Sequence, residues 1–104
     1  MLIIFTTVPE INDANALAAK LVETRLAACV QILPKMTSVF MWKGEMCRES
    51  EHLLLIKTVN EKWDAIHEFL SAEHPYEVPE IIAIDADRVS EPYLQWATQA
   101  LARG

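Results

Sequence analysis

The sequence predicts an α+β fold: a ferredoxin-like β-α-β-β-α-β plait with a long hairpin between its second and third strands and an extra C-terminal helix. Three observations predict it. Aliphatic, β-branched runs alternate with segments of helical periodicity in that order. Pro9, Pro34 and Pro75 stand at the ends of these segments, and Pro92 near the start of the last. The only internal glycine, Gly44, lies between two strand-like stretches. The 104 residues suit a single domain, 1–104.

Each element has a local reason. Residues 2–8 are apolar and β-branched, a strand ended by Pro9. Asn12 and Asp13 offer N-caps for a helix from Ala14 to Arg25, where Leu17, Ala18, Leu21 and Val22 share a face. Ala28 to Leu33 reads as a strand stopped by Pro34, and Thr37 to Trp42 as its continuation past a bend. Lys43-Gly44 marks the hairpin tip. Glu45 to Val59 is a long strand with a polar first half and an apolar second half. Asn60 caps a helix in which Trp63, Ile66, Phe69 and Leu70 face one way; Pro75 ends it. Glu80 to Asp85 is a strand, and Ser90 caps a last helix with Pro92 in its first turn.

Two features exceed what one plait absorbs. A sheet covered on one face should alternate apolar and polar residues. Leu2-Ile3-Ile4-Phe5, Leu53-Leu54-Leu55-Ile56 and Ile81-Ile82-Ala83-Ile84 are apolar on both faces. The hairpin is also long: residues 45–59 fully extended reach about 50 Å, against a radius of gyration of about 13 Å for a domain of this size. Its outer part, near Trp42 and Gly44, should project. Open ribbon edges and a greasy second face point to a closed oligomer.

The chain is 52% apolar and carries a net charge of −6. Phosphate surfaces attract basic proteins, so this balance argues against nucleic acid and anionic membrane as partners. The start lacks a basic leader, and no stretch approaches the ~20 apolar residues of a membrane span. With only Cys29 and Cys47 as cysteines, a cytoplasmic protein with reduced thiols is expected. No nucleophile elbow, Ser-His-Asp cue, paired CxxC or His-Glu-x-x-His pattern is present, so no enzymatic activity is expected.

Several motifs are specific in combination. Arg25-Leu26-Ala27-Ala28-Cys29-Val30, Trp42-Lys43-Gly44, Leu55-Ile56-Lys57-Thr58 and His74-Pro75-Tyr76-Glu77-Val78-Pro79-Glu80-Ile81 together resemble the CutA family of divalent-cation tolerance proteins. Thr7-Val8-Pro9 and Tyr93-Leu94-Gln95-Trp96 fit its two ends. The resemblance implies a ferredoxin-like fold, a PII-like homotrimer joined through its β-ribbons, and a role in copper and other divalent-metal tolerance. It also implies a copper site made by a Cys near the end of the first strand and two adjacent His before Pro-Tyr. Those positions hold Thr6, Glu73 and His74 here. Thiolate and imidazole suit copper better than hydroxyl and carboxylate. Metal binding is therefore expected to be weak or indirect, with His74 and Glu73 as ligands and no metal required for folding.

The remaining candidates carry paired readings. His74 is either a ligand or a helix C-cap. His67 lies about 10 Å before it on the same helical face, too far to share an ion. His52 is expected on the surface. Cys29 reads as a small buried residue or a reactive thiol, and Cys47 as an exposed thiol on the ribbon. The resemblance places Cys29, Trp42, Lys57, Tyr76, Glu77 and Glu80 near clefts between subunits. There Lys57 would hold a small anionic ligand, or a partner protein, against Tyr76 or Trp42; alternatively it pairs with Glu49, Glu51, Glu77 or Glu80.

Overall fold

The computed structural model describes residues 1–102. The elements run β1 (Leu2–Val8), α1 (Ile11–Glu23), β2 (Cys29–Ile32), β3 (Met36–Trp42), β4 (Glu45–Thr58), a 3-10 turn (Asn60–Lys62), α2 (Trp63–Glu73), β5 (Ile82–Asp85) and α3 (Glu91–Leu101). The sheet is antiparallel in the order β2-β4-β1-β5, with β3 pairing β4 beyond the end of β2. This is the expected plait. No helix among the described residues is long and apolar enough to cross a membrane.

The period of two along the strands decides which residues enter the core. In the β1–β4 register, Leu2 faces Thr58, Ile4 faces Ile56 and Thr6 faces Leu54. All are buried, and the apolar ones pack against Leu17 and Leu21 of α1 and Ile66 and Leu70 of α2. A second, smaller cluster joins Ala97 and Leu101 of α3 to Ala28.

Several boundaries differ from expectation. Helix α1 begins at Ile11, with Glu10 in the capping position and no side-chain cap, so Asn12 and Asp13 lie inside its first turn. Asp13 complements the helix dipole there. The helix closes at Thr24, and Arg25 takes a left-handed conformation at φ 61°. The Leu26 and Arg25 amides donate back to Leu21 and Val22, a Schellman closure made without glycine. The Arg25 guanidinium also donates to the Ala100 carbonyl at 2.9 Å, tying the end of α1 to α3. Asn60 opens the 3-10 turn, and α2 begins only at Trp63. Ser90 occupies the capping position of α3 without a side-chain cap bond. Strand β5 starts two residues later than expected, at Ile82.

The long hairpin projects, and the principal axis of the molecule measures 47 Å. Lys43 and Gly44 both have positive φ, which fits the tight two-residue turn that matches strand twist. Strand β4 runs unbroken through 14 residues. The bend lies on the opposite strand. Ile32 pairs with Leu54 but Met36 with Glu51, so four steps on one side answer three on the other. The extra residue falls at the Leu33–Lys35 segment around Pro34, which has no amide to donate to the ladder. His52 is buried there, not on the surface, because it shares the core-side parity of Leu54 and Ile56. Its Nδ1 donates to the Leu33 carbonyl at 3.0 Å.

The opposite face of the sheet stays largely open. Its register aligns Gln31, Leu55, Phe5 and Ile82 in one row, and Cys29, Lys57, Ile3 and Ile84 in the next. Ile82 and Ile84 are half exposed. Helix α3 covers only the end near Lys57, whose Nζ donates to the Tyr93 hydroxyl at 3.2 Å.

Thr6 is fully buried, and its hydroxyl has no hydrogen-bond partner among the described residues. An unsatisfied buried hydroxyl costs about 1–3 kcal/mol. Thr6→Val should therefore stabilise the fold by about 1–2 kcal/mol in chemical denaturation. A loss of stability would show that the hydroxyl is bonded in the native state.

Candidate functional site

A groove of about 550 Å³ opens between the ribbon, from Glu51 at its base to Trp42 near its tip, and the chain segment from Tyr76 to Glu80. Strand parity builds one wall. Phe40 and Trp42 on β3 and Cys47, Glu49 and Glu51 on β4 share a face of the ribbon, because Phe40 pairs with Cys47. That face continues into Leu53 and Leu55 of the open sheet. Tyr76, Glu77, Val78 and Glu80 form the other wall, and Thr7 and Pro9 close the end.

Three hydrogen bonds hold the second wall. The Tyr76 amide donates to His74 Nδ1 at 3.0 Å, so this nitrogen carries no proton. His74 Nε2 therefore bears it and donates to the Thr7 carbonyl at 2.9 Å. The Tyr76 hydroxyl donates to Glu51 Oε2 at 2.7 Å. Burial, then the bond to Glu51 and the charges of Glu51, Glu49 and Asp13, push the Tyr76 phenol well above its usual range. It stays protonated and donates throughout the physiological range.

The expected ligands do not assemble into a metal site. The Thr6 side chain lies in the core. Glu73 extends to Lys20 at 2.7 Å on the surface. His74 uses both ring nitrogens within the fold and occupies the C-cap position of α2. Among the described residues, no three His, Cys, Asp or Glu side chains come together as a metal-holding group. The donor set therefore does not fit a tightly held copper ion. His67 stacks on Trp63 with ring centroids 5.5 Å apart, remote from this chemistry.

Of the expected cleft residues, Trp42, Tyr76, Glu77 and Glu80 line the groove; Cys29 and Lys57 do not. Lys57 lies six residues beyond Glu51 on β4, about 20 Å along the strand. It sits instead over the Tyr93 ring, 5.2 Å from its centroid, with Cys29 directly opposite across the ladder. Within one chain Lys57 thus lies outside this groove and makes no ion pair with its glutamates. The groove is lined by carboxylates and has no basic residue among its lining side chains. Phe40 and Cys47 join it through ribbon parity, a signal readable only once the hairpin register is known.

Burial holds the His74 pKa below its ordinary value of 6.5, against smaller opposing effects of the Thr7 bond and the Asp13 and Glu51 charges. The unfolded chain therefore takes up this proton first. The His74 contribution is complete above pH 6.5 and is lost as pH falls from there through the lowered native value. His74→Gln should flatten that part of the stability profile, whose slope for one proton approaches about 1.4 kcal/mol per pH unit. Denaturation curves between neutral and mildly acidic pH check it; identical slopes in both proteins would refute it.

Comparison with known proteins agrees with this fold. A family model described as CutA1 divalent ion tolerance protein matches residues 2–100. Human protein CutA is 43% identical over 95 residues, covering 91% of this chain and 53% of the human protein. The divalent-cation tolerance protein CutA of Thermus thermophilus is 43% identical, covering 90% of this chain and 91% of that protein. The crystal structure of CutA1 from Ehrlichia chaffeensis superposes with a TM-score of 0.94 at 31% identity, covering 98% of this chain and 95% of that one. The chain spans about half the length of the vertebrate relatives it matches first, 53% for human and 54% for mouse.

The cytoplasmic expectation is corrected by the same comparisons. A solved relative from Archaeoglobus fulgidus, with a TM-score of 0.93 and 32% identity, is described as periplasmic, and a sequence relative from Arabidopsis thaliana, 39% identical, as chloroplastic. Compartment is set by targeting segments rather than by the folded domain, and this chain spans only 52% of the Arabidopsis protein. With residues 2–100 matched by the family model and the whole plait superposing on solved members, the chain belongs to the CutA1 divalent ion tolerance family.

Proposed function

We propose that this chain is a non-enzymatic homotrimeric protein of divalent-metal tolerance, copper included, whose own metal binding is weak or indirect. The observation that carries the assembly is the open sheet face. The row of Leu55, Phe5 and Ile82 and the flanking Ile3 and Ile84 form an apolar surface that α3 leaves uncovered. Such a surface favours burial against other subunits. The ribbon supports the same reading, since Val39, Phe40, Met41, Trp42 and Met46 are all exposed on a projecting edge. The number three is what the resemblance to the CutA family implies, and that resemblance supports the reading. Indirect metal action agrees with a His74 whose two nitrogens are already engaged.

Light scattering on the wild type should give three times the chain mass. Ile84 is 52% exposed on the single chain, so Ile84→Glu should leave the isolated fold within about 0.5 kcal/mol yet dissociate the assembly. A monomeric wild type at micromolar concentration would overturn the proposal.

Calorimetric titration of Cu(II) and Zn(II) should give weak isotherms that His74→Ala leaves unchanged. Tight binding abolished by that substitution would instead make His74 a ligand and require the Thr7 and Tyr76 bonds to break.

A further inference from the structure

We propose that Lys57 on the open sheet face of each copy pairs with Glu49 on the ribbon of a neighbouring copy, and that this pair sets the order in which copies assemble. The inference deepens the oligomeric reading above and rests on it. Strand β4 carries both groups on one face. Side chains two residues apart point the same way along a strand. Glu49 and Glu51 therefore stand at the ribbon end of that face, Leu53 and Leu55 follow, and Lys57 closes the run. Acidic, apolar and basic zones lie in line along one unbroken strand.

Lys57 lacks a carboxylate within its own chain. Its row on the sheet is otherwise uncharged, made of Cys29, Ile3 and Ile84. The ion pairs among the described residues, Lys20–Glu73 and Arg88–Asp87, do not include it. Its Nζ meets the neutral Tyr93 hydroxyl at 3.2 Å and stands 5.2 Å from that ring. An ammonium has three hydrogens to donate. Covering the half-buried Lys57 with a second copy is costly unless that copy brings a carboxylate. Glu49 of the same chain lies eight residues back on β4, about 26 Å along the strand, beyond the reach of either side chain. Glu49 is itself exposed and absent from both ion pairs. Each group lacks what the other supplies, and a second copy can bring them together.

Charge complementarity singles out this pair. Each copy carries a net charge of −6, so copies repel at a distance. The apolar face attracts without fixing direction. In the rows that pair β4 with β1 and β2, and β1 with β5, Lys57 is the only Lys or Arg. Among the groove's carboxylates, Glu51 is 6% exposed and bonded to Tyr76, and Glu77 and Glu80 belong to the facing segment. Glu49 is the one exposed on the strand face that continues into the open sheet. Phe40 and Trp42 flank it on the same ribbon face and supply exposed apolar surface to meet Phe5, Leu55 and Ile82 of the neighbour. A copy docked in another order sets carboxylate against carboxylate or leaves the ammonium unpaired, and such mismatches select the register.

The test follows assembly of the full chain by light scattering on dilution, with circular dichroism recording the fold. Lys57→Glu and Glu49→Lys should each raise the chain concentration at half-assembly at least about tenfold. The double variant carrying both substitutions should return to within about threefold of the wild type. Net charge alone predicts otherwise, because Glu49→Lys moves each copy toward neutrality and would tighten an assembly opposed only by general repulsion. Glu68→Lys, exposed on α2 away from both faces, makes the same change in net charge and should not weaken assembly. Should Lys57→Glu misfold, Glu49→Lys on the exposed ribbon decides alone: weaker assembly supports the pair and unchanged assembly overturns it. Unchanged assembly in both folded single variants, or no recovery in the folded double variant, would overturn the pair and leave the oligomer standing. A monomeric wild type would instead remove the oligomeric reading, and this pair with it.

Discussion

Strand β4 is the constraint on which the rest of the molecule depends. It pairs with β1 and β2 along its apolar half and with β3 along its polar half, so every other strand except β5 takes its register from it. Because side chains alternate along a strand, one unbroken run of 14 residues sorts two surfaces at once. Its even-numbered residues from His52 to Thr58 are buried against the helices. Its odd-numbered residues run from Cys47, Glu49 and Glu51 in the groove to Leu55 on the open face and Lys57 under α3. A bulge within β4 would exchange these sets. The extra residue lies on the partner strand instead, around Pro34, where the missing amide makes it cheap.

The groove is assembled by contacts distant in sequence. His74 ends α2 and reaches the Thr7 carbonyl on β1; the following amide, from Tyr76, returns to the same ring; the Tyr76 hydroxyl then reaches Glu51 on β4. Helix, sheet and ribbon are joined through one imidazole and one phenol. This explains why the histidine that resembles a metal ligand in the sequence acts as a structural pin in the fold. It also sets the sign of the site. With Lys57 held by Tyr93 at the far end of β4, no basic side chain lines the groove beside its carboxylates.

The plait, the hairpin tip and the doubly apolar strands were legible because each rests on local chemistry. Pro9, Pro34 and Gly44 act on their own backbone, and a run such as Leu53-Leu54-Leu55-Ile56 reports two apolar faces wherever it lies. Helix starts were less legible. Asn12 and Asn60 are good capping residues by type, yet Glu10 occupies the capping position of α1 and Lys62 that of α2, since packing of Leu17 and Ile66 into the core fixes helix phase more strongly than one cap bond. Half of the groove was legible too: Trp42, Tyr76, Glu77 and Glu80 belong to it, while Lys57 and Cys29 do not.

Sequence alone determined which elements form, how long the ribbon is and that the sheet has two apolar faces, because these follow from patterns spanning a few residues. Only the tertiary structure decided what the polar groups do. Whether His74 has a free nitrogen, whether Lys57 meets a glutamate, and whether Glu51 meets Tyr76 all depend on residues tens of positions apart. Electrostatic interactions act over a few ångströms in space, and sequence spacing does not record that distance.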